Sequence, residues 1–151
     1  MLDDMTRQAP SHVSATLAPR SFDPEAGTIE VTWTTGADVP RVDYSTGRAF
    51  TERLAPEGAD LARLNAGGPV LDTHASYSVR DQIGAVVPGS ARVVNGRGIA
   101  TLKLSDAPEH AGIVANIASG VLRNLSVGYT VAEWSTEVAN DGAEIRTAIR
   151  T

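Results

Sequence analysis

Asn95-Gly96 is the dipeptide that best tolerates the two positive φ angles of a two-residue hairpin turn, and it separates two strand-like stretches, residues 90–94 and 97–104. In the second stretch Ala100, Leu102 and Leu104 share one face while Thr101 and Lys103 share the other. Such alternation predicts a strand with one core side and one wet side, so an antiparallel hairpin must be built into the fold. The same period governs residues 28–35, where Ile29, Val31 and Trp33 alternate with Glu30, Thr32 and Thr34. It returns in residues 124–133, with Leu125, Val127, Tyr129 and Val131 against Asn124, Ser126, Gly128 and Thr130.

Weaker signals complete the pattern. Residues 41–50 read as a strand with Gly47 in its middle, pairing with 28–35. Val70-Leu71 and residues 83–87 read as two strands joined by an exposed loop, and 143–149 as a last strand after the turn at 139–142. Residues 106–122 carry the one strong helix signal. Asp106 stands at the cap, Pro108 in the first turn and Glu109 three residues after the cap, while Ile113, Ile117 and Val121 recur every fourth position with Val114 beside them. A short helix over 59–64, with Leu61 and Leu64 on one side, is closed by Asn65, Gly67 and Gly68. Residues 1–14 read as a loose tail and 15–151 as a single domain. The expected fold is a β-rich α+β domain, an antiparallel β-barrel or strongly curved sheet with one main helix (106–122) and one short helix (59–64).

Charge and composition narrow the function. Thirteen Lys and Arg against 18 Asp and Glu give a net charge of -5, which leaves no broad basic face for nucleic acid phosphates or anionic lipid. The chain has no cysteine, so disulfide scaffolds, thiolate metal sites and cysteine nucleophiles are excluded. No apolar run approaches the length of a membrane span, and residues 1–15 lack the pattern of an export signal, so neither membrane insertion nor export is expected.

Few residues carry chemistry. Of three histidines, His12 falls in the tail and His110 in the first turn of the main helix, where an exposed or half-buried imidazole is unremarkable. His74 closes an apolar strand and is followed by Ala75 and Ser76, a setting that leaves its ring accessible as a general base. Ser126 lies on the polar face of its strand with Gly128 two residues on. Small neighbours clear space above its hydroxyl, and an adjacent base would have to activate it. There is no metal-ligand spacing and no phosphate loop, so no cofactor is expected.

Three segments together resemble the prohead proteases of tailed bacteriophages, the serine proteases of capsid maturation. They are Gly68-Pro-Val-Leu-Asp-Thr-His74, the Ile83-Gly84-Ala85-Val86 that follows, and, most specifically, Gly120-Val-Leu-Arg-Asn-Leu-Ser126-Val-Gly-Tyr129. The resemblance runs from about Thr28 to the last residue. It implies the fold of the herpesvirus maturation protease, a β-barrel surrounded by helices, with Ser126 as nucleophile and His74 as general base. Arg123, or backbone amides near Ser126, would support the oxyanion. The implied substrates are phage scaffold and major capsid protein, and the chain itself, inside a procapsid in the host cytoplasm; homo-oligomer formation is left open. The family pattern continues into Glu-x-Ser-Leu-Val-x-x-Pro-Ala, which brings a strand and an acidic third member. The 151 residues end before it, so either the chain is a truncated or processed form, or the third member is one of Asp72, Asp81, Asp141 and Glu144, with Glu144 carried forward. The competing expectation is a catalytically inactive β-barrel scaffolding or assembly module of a phage capsid.

Overall fold

A computed structural model describes residues 11–72, 77–129 and 131–151, the side chains of 11–14 excepted. In chain order the strands are β1 (Ser11–Leu17), β2 (Thr28–Thr34), β3 (Val39–Asp43), β4 (Arg48–Leu54), β5 (Pro69–Leu71), β6 (Gln82–Val86), β7 (Arg92–Val94), β8 (Arg97–Leu104), β9 (Asn124–Tyr129), β10 (Glu133–Val138) and β11 (Glu144–Arg150). Two short helices, α1 (Ala62–Asn65) and α2 (Ala111–Ala118), accompany them. The larger sheet, a curled half-barrel, runs β5-β6-β8-β2-β1-β9, with β7 also paired to β8. All its pairings are antiparallel. The smaller sheet runs β10-β11-β4-β3, and its β11–β4 pair is parallel.

The core follows from the alternation. Ile29, Val31 and Trp33 of β2 and Ala100, Leu102 and Leu104 of β8 are all buried, while Lys103 stays exposed. Both turn residues of the β7–β8 hairpin have positive φ, 50° at Asn95 and 72° at Gly96, the backbone a tight primed turn needs. Gly98 is required for a different reason. A Cβ there would lie 2.2 Å from the Trp33 ring, so the β2–β8 register depends on the missing side chain. Trp33 Nε1 donates to the Ile99 carbonyl at 3.2 Å, locking the indole across the same pair.

Several elements depart from the pattern read in the sequence. The strand expected over 41–50 is two strands, because Asp43 folds the chain back. Its Oδ1 accepts from the Ser45 amide (3.0 Å) and hydroxyl (2.6 Å), and its carbonyl accepts from the Gly47 amide (2.7 Å), a turn built on one aspartate. β3 and β4 then pair with each other in the smaller sheet and not with β2. The run 124–133 is likewise divided. β9 stops at Tyr129 in the larger sheet, and β10 begins at Glu133 in the smaller.

The main helix is shorter than expected. Residues 108–110 form a 3-10 turn and α2 occupies only Ala111–Ala118; Asp106 is not the cap, since the N-cap positions are Ala107 and His110 and neither makes a side-chain capping bond, while the Ser105 hydroxyl accepts from the Ala107 amide at 3.2 Å just before the turn. Ile117 is buried and Ile113 and Val114 pack on the core, but Val121 is 72% exposed because the helix has already ended. α1 begins three residues later than 59, with the Asp60 carboxylate accepting from the Ala62 amide at 2.9 Å. β1 starts at Ser11, inside the stretch read as tail, and lies between β2 and β9.

Candidate functional site around Ser126

β9 presents Ser126. Leu125, Val127 and Tyr129 are partly buried, whereas Asn124, Ser126 and Gly128 are exposed. The strand follows α2 through Gly120-Val-Leu-Arg123, and its register on β1 pairs Ser126 with Ser14 and Gly128 with His12. β9 forms one edge of the larger sheet. β5, the strand that leads toward His74, forms the opposite edge. His74 itself, together with Thr73, Ala75 and Ser76, lies outside the described residues.

The other expected members are engaged elsewhere. Glu144 sits on β11 in the smaller sheet, and its carboxylate pairs with Arg146 of the same strand. Arg123 turns back on its own loop, Nε donating to the Gly120 carbonyl at 2.8 Å. Asp81 accepts from the Ser78 amide at 2.8 Å and Asp141 from the Ala143 amide at 3.0 Å, both local turn bonds. Asp72, directly after β5, is exposed. Among the described residues no hydrogen bond connects any of these groups to the Ser126 hydroxyl.

Two polar clusters escaped the sequence reading. The first anchors β9. Glu52 of β4 is only 2% exposed; its Oε2 accepts from Arg41 Nε of β3 at 3.0 Å and its Oε1 accepts from the Tyr129 hydroxyl. The C-terminal end of the Ser126 strand is thereby tied to the smaller sheet. Burial, followed by the hydrogen bond to Glu52, raises the Tyr129 pKa well above that of a free phenol, since ionising it would place a second negative charge beside a buried carboxylate. The signal existed in the sequence, because Glu52 shares the period-2 face of Phe50 and Leu54, where a charge is out of place.

The second cluster surrounds His110. Its ring is buried, not exposed or half-buried as expected. Nε2 lies 2.9 Å from the Arg80 carbonyl and Nδ1 2.7 Å from Ser105 Oγ. A carbonyl only accepts, so Nε2 carries a proton and donates to Arg80, while Nδ1 shares its hydrogen bond with the Ser105 hydroxyl. The imidazole ties the segment entering β6 to the start of the main helical region. Two shallow hollows, of about 330 and 380 Å³, meet at Ser105 and Asp106, and neither includes Ser126. Among the described residues no group of three or more His, Asp or Glu is placed to hold a metal ion. Comparison of the chain with protein-family models, curated proteins and solved structures gives no match.

Proposed function

We propose that this chain is a serine endopeptidase of the prohead-maturation kind, with a herpesvirus-protease-like barrel, Ser126 as nucleophile and His74 as general base. The observation that supports the reading most is the exposed Ser126 at the centre of β9, in the same Leu-Ser-Val-Gly-Tyr setting that carries the resemblance. In this mechanism the Ser126 oxygen attacks a substrate peptide carbonyl while His74 takes its proton. The scissile C–N bond then breaks as the proton passes to the leaving amine, and water releases the acyl group by the same route. The mechanism requires the curl of the larger sheet to carry the chain after β5 across toward β9. The substrates would be scaffold and capsid-protein segments and the chain itself, inside a procapsid.

A second reading, an inactive assembly module, draws on one observation: the two motif strands form opposite edges of the sheet. Incubating the purified chain, and its Ser126→Ala and His74→Ala variants, with a phage scaffold protein, and following cleavage of that protein and of the chain itself, separates the two. The protease reading expects cleavage by the parent and loss of at least about a thousandfold in each variant. Equal cleavage by parent and Ser126→Ala, or none by the parent, would leave the assembly module.

A further inference from the structure

Ser105 and His110 form a pair that the proposed mechanism does not use, and backbone bonds fix its frame. The Ser105 amide donates to the Ile83 carbonyl at 2.9 Å, and the His110 amide donates to the Ala107 carbonyl at 3.0 Å. Arg80 sits in a 3-10 turn, Val79–Asp81, closed by a capping box of Ser78 and Asp81. The carbonyl that accepts from His110 Nε2 at 2.9 Å is therefore held in place. The imidazole is buried, and its Nδ1 lies 2.7 Å from Ser105 Oγ.

Because Nε2 donates to Arg80, the lone pair of the neutral ring is on Nδ1, facing the serine. A hydroxyl has one proton and two lone pairs. At Ser105 one lone pair accepts from the Ala107 amide at 3.2 Å, the proton faces Nδ1, and the second lone pair is left for attack. A hydroxyl within reach of a base, with the base's far nitrogen oriented by a third group, is the arrangement that activates a serine. Room for a reactant lies beside it. Half-buried Ser105 lies where the two hollows meet. One, of about 380 Å³, is lined by the apolar Phe22, Ala111, Val114 and Ala118; the other, of about 330 Å³, takes in Gln82 and Lys103.

We infer that Ser105 and His110 are a second nucleophile and base, which hydrolyse carboxylic esters of short aliphatic acids. The acyl chain rests in the apolar hollow and the alcohol side of the ester in the polar one, where Lys103 is the cation available to the charge that develops on the carbonyl oxygen. Ser105 Oγ attacks the ester carbonyl carbon as its proton passes to His110 Nδ1. The C–O bond to the alcohol then breaks, and the alcohol leaves with that proton. Water attacks the acyl-serine and gives a proton to Nδ1, which returns it to Ser105 Oγ as the acid departs. An ester is assigned in preference to a peptide because shallow hollows of this size hold a small acyl compound and no length of chain. The inference goes beyond the protease reading, for it uses neither Ser126 nor His74.

The test treats the parent chain, Ser126→Ala, and Ser126→Ala with His110→Gln with a fluorophosphonate, which transfers its phosphonyl group to an activated serine oxygen and releases fluoride while the base takes the serine proton. Trypsin cuts after Lys103, Arg123 and Arg146, so Ser105 and Ser126 fall in different peptides, and fragmentation separates Ser105 from Ser119 in the first. In the parent and in Ser126→Ala, Ser105 should label at least about 100-fold faster than the exposed Ser119, and His110→Gln should remove that advantage. Should His110→Gln not fold, the Ser105-to-Ser119 ratio in the parent decides. p-Nitrophenyl butyrate should be hydrolysed by Ser126→Ala and should slow the labelling of Ser105, and adding Ser105→Ala should lower that hydrolysis at least about 100-fold. Ser105 labelled no faster than Ser119, labelling indifferent to His110→Gln in a folded chain, or butyrate hydrolysis indifferent to Ser105→Ala would each overturn the inference. Label on Ser126 alone would overturn it and leave the protease reading standing, whereas label on Ser105 alone would support it and sink the protease reading.

Discussion

Removing the Tyr129 hydroxyl by Tyr129→Phe tests the link between the two sheets. The hydroxyl donates to the carboxylate of Glu52, which is 2% exposed and keeps one further described partner, Arg41 Nε at 3.0 Å. A hydrogen bond to a charged group contributes about 1.5–3 kcal/mol. Because Arg41 remains to hold the charge, and its side chain is 28% exposed and reachable by water, the lower part of that range applies, about 2 kcal/mol. For a chain of 151 residues the unfolding entropy near the midpoint is about 0.3 kcal/mol per degree, so the melting temperature should fall by about 6 °C. Glu52→Gln should cost at least as much, since its amide N–H₂ would face the Arg41 guanidinium. The double variant should recover at least about 1 kcal/mol of the summed loss, because each substitution removes the same bond. The alkaline side provides an independent check. The folded-state pKa of Tyr129 is raised, so above about pH 10 the unfolded chain releases the phenolic proton while the folded chain retains it. The unfolded state then binds fewer protons, and stability falls as pH rises. Tyr44 and Tyr77 are 98% and 99% exposed, which makes Tyr129 the tyrosine whose surroundings change most on unfolding. Denaturant titrations at several pH values should show Tyr129→Phe losing less stability between pH 9 and 11 than the parent. A neutral-pH change below about 0.5 kcal/mol together with zero coupling in the cycle would refute the buried tie.

Gly98→Ala should lower stability by about 1–3 kcal/mol, as a methyl 2.2 Å from the Trp33 ring forces the β2–β8 pair apart; thermal melting and a red shift of tryptophan emission measure it. Asp43→Asn should flatten the acid side of the stability curve. Ser45, through its hydroxyl and amide, and then Arg146 hold the Asp43 carboxyl down to about 2, so its contribution is present above about pH 4 and lost as pH falls through 2, where parent and variant should converge. His110→Phe should cost about 2 kcal/mol by removing the imidazole's bonds to the Arg80 carbonyl and to the Ser105 hydroxyl, which keeps only the Ala107 amide, and faster amide exchange confined to residues 78–83 should report it.

Side-chain period was the legible part of this fold. It gives the faces of β8 and β9, and of β2 as far as Trp33, because one side is buried and the other is not; Thr34, expected on the polar face of β2, is buried instead, where the β2–β8 register shifts between Thr32 and Thr34. Partner choice was not legible. Residues 28–35 and 41–50 are neighbours in sequence, yet β3 joins the smaller sheet, and what decides this is a side chain folding the backbone at Asp43, a tertiary-scale consequence of one local bond. The helical period misleads for a related reason. Ile113 and Ile117 do face the core, but the period extended to Val121 by coincidence after Ser119 and Gly120 had already ended the helix. At the candidate site the strand context of Ser126 was legible and its neighbours were not, because Glu52 comes to Tyr129 from 77 positions away through a contact between sheets that no local pattern encodes.

Those two facts bear on each other. An open, uncharged edge is a hazard to the chain that carries it, and the strands that end the sheets elsewhere are shortened, bulged, charged or interrupted by proline. Among the described residues, the one regular edge strand is also the strand with the exposed serine near its centre and a buried carboxylate holding its end. A buried ion pair contributes little to net stability once desolvation is set against it, and a hydrophobic pair of similar size would serve a purely structural joint at least as well. What Glu52 adds is direction, since the phenol must meet it at one position, and a strand fixed at Tyr129 fixes Ser126 three residues away. A Glu52→Leu, Tyr129→Phe chain should therefore match or approach the parent in stability yet show faster amide exchange at Val127 and Tyr129, the end of β9 that the tie holds. If stability and that protection survive together, the polar tie has no positioning role.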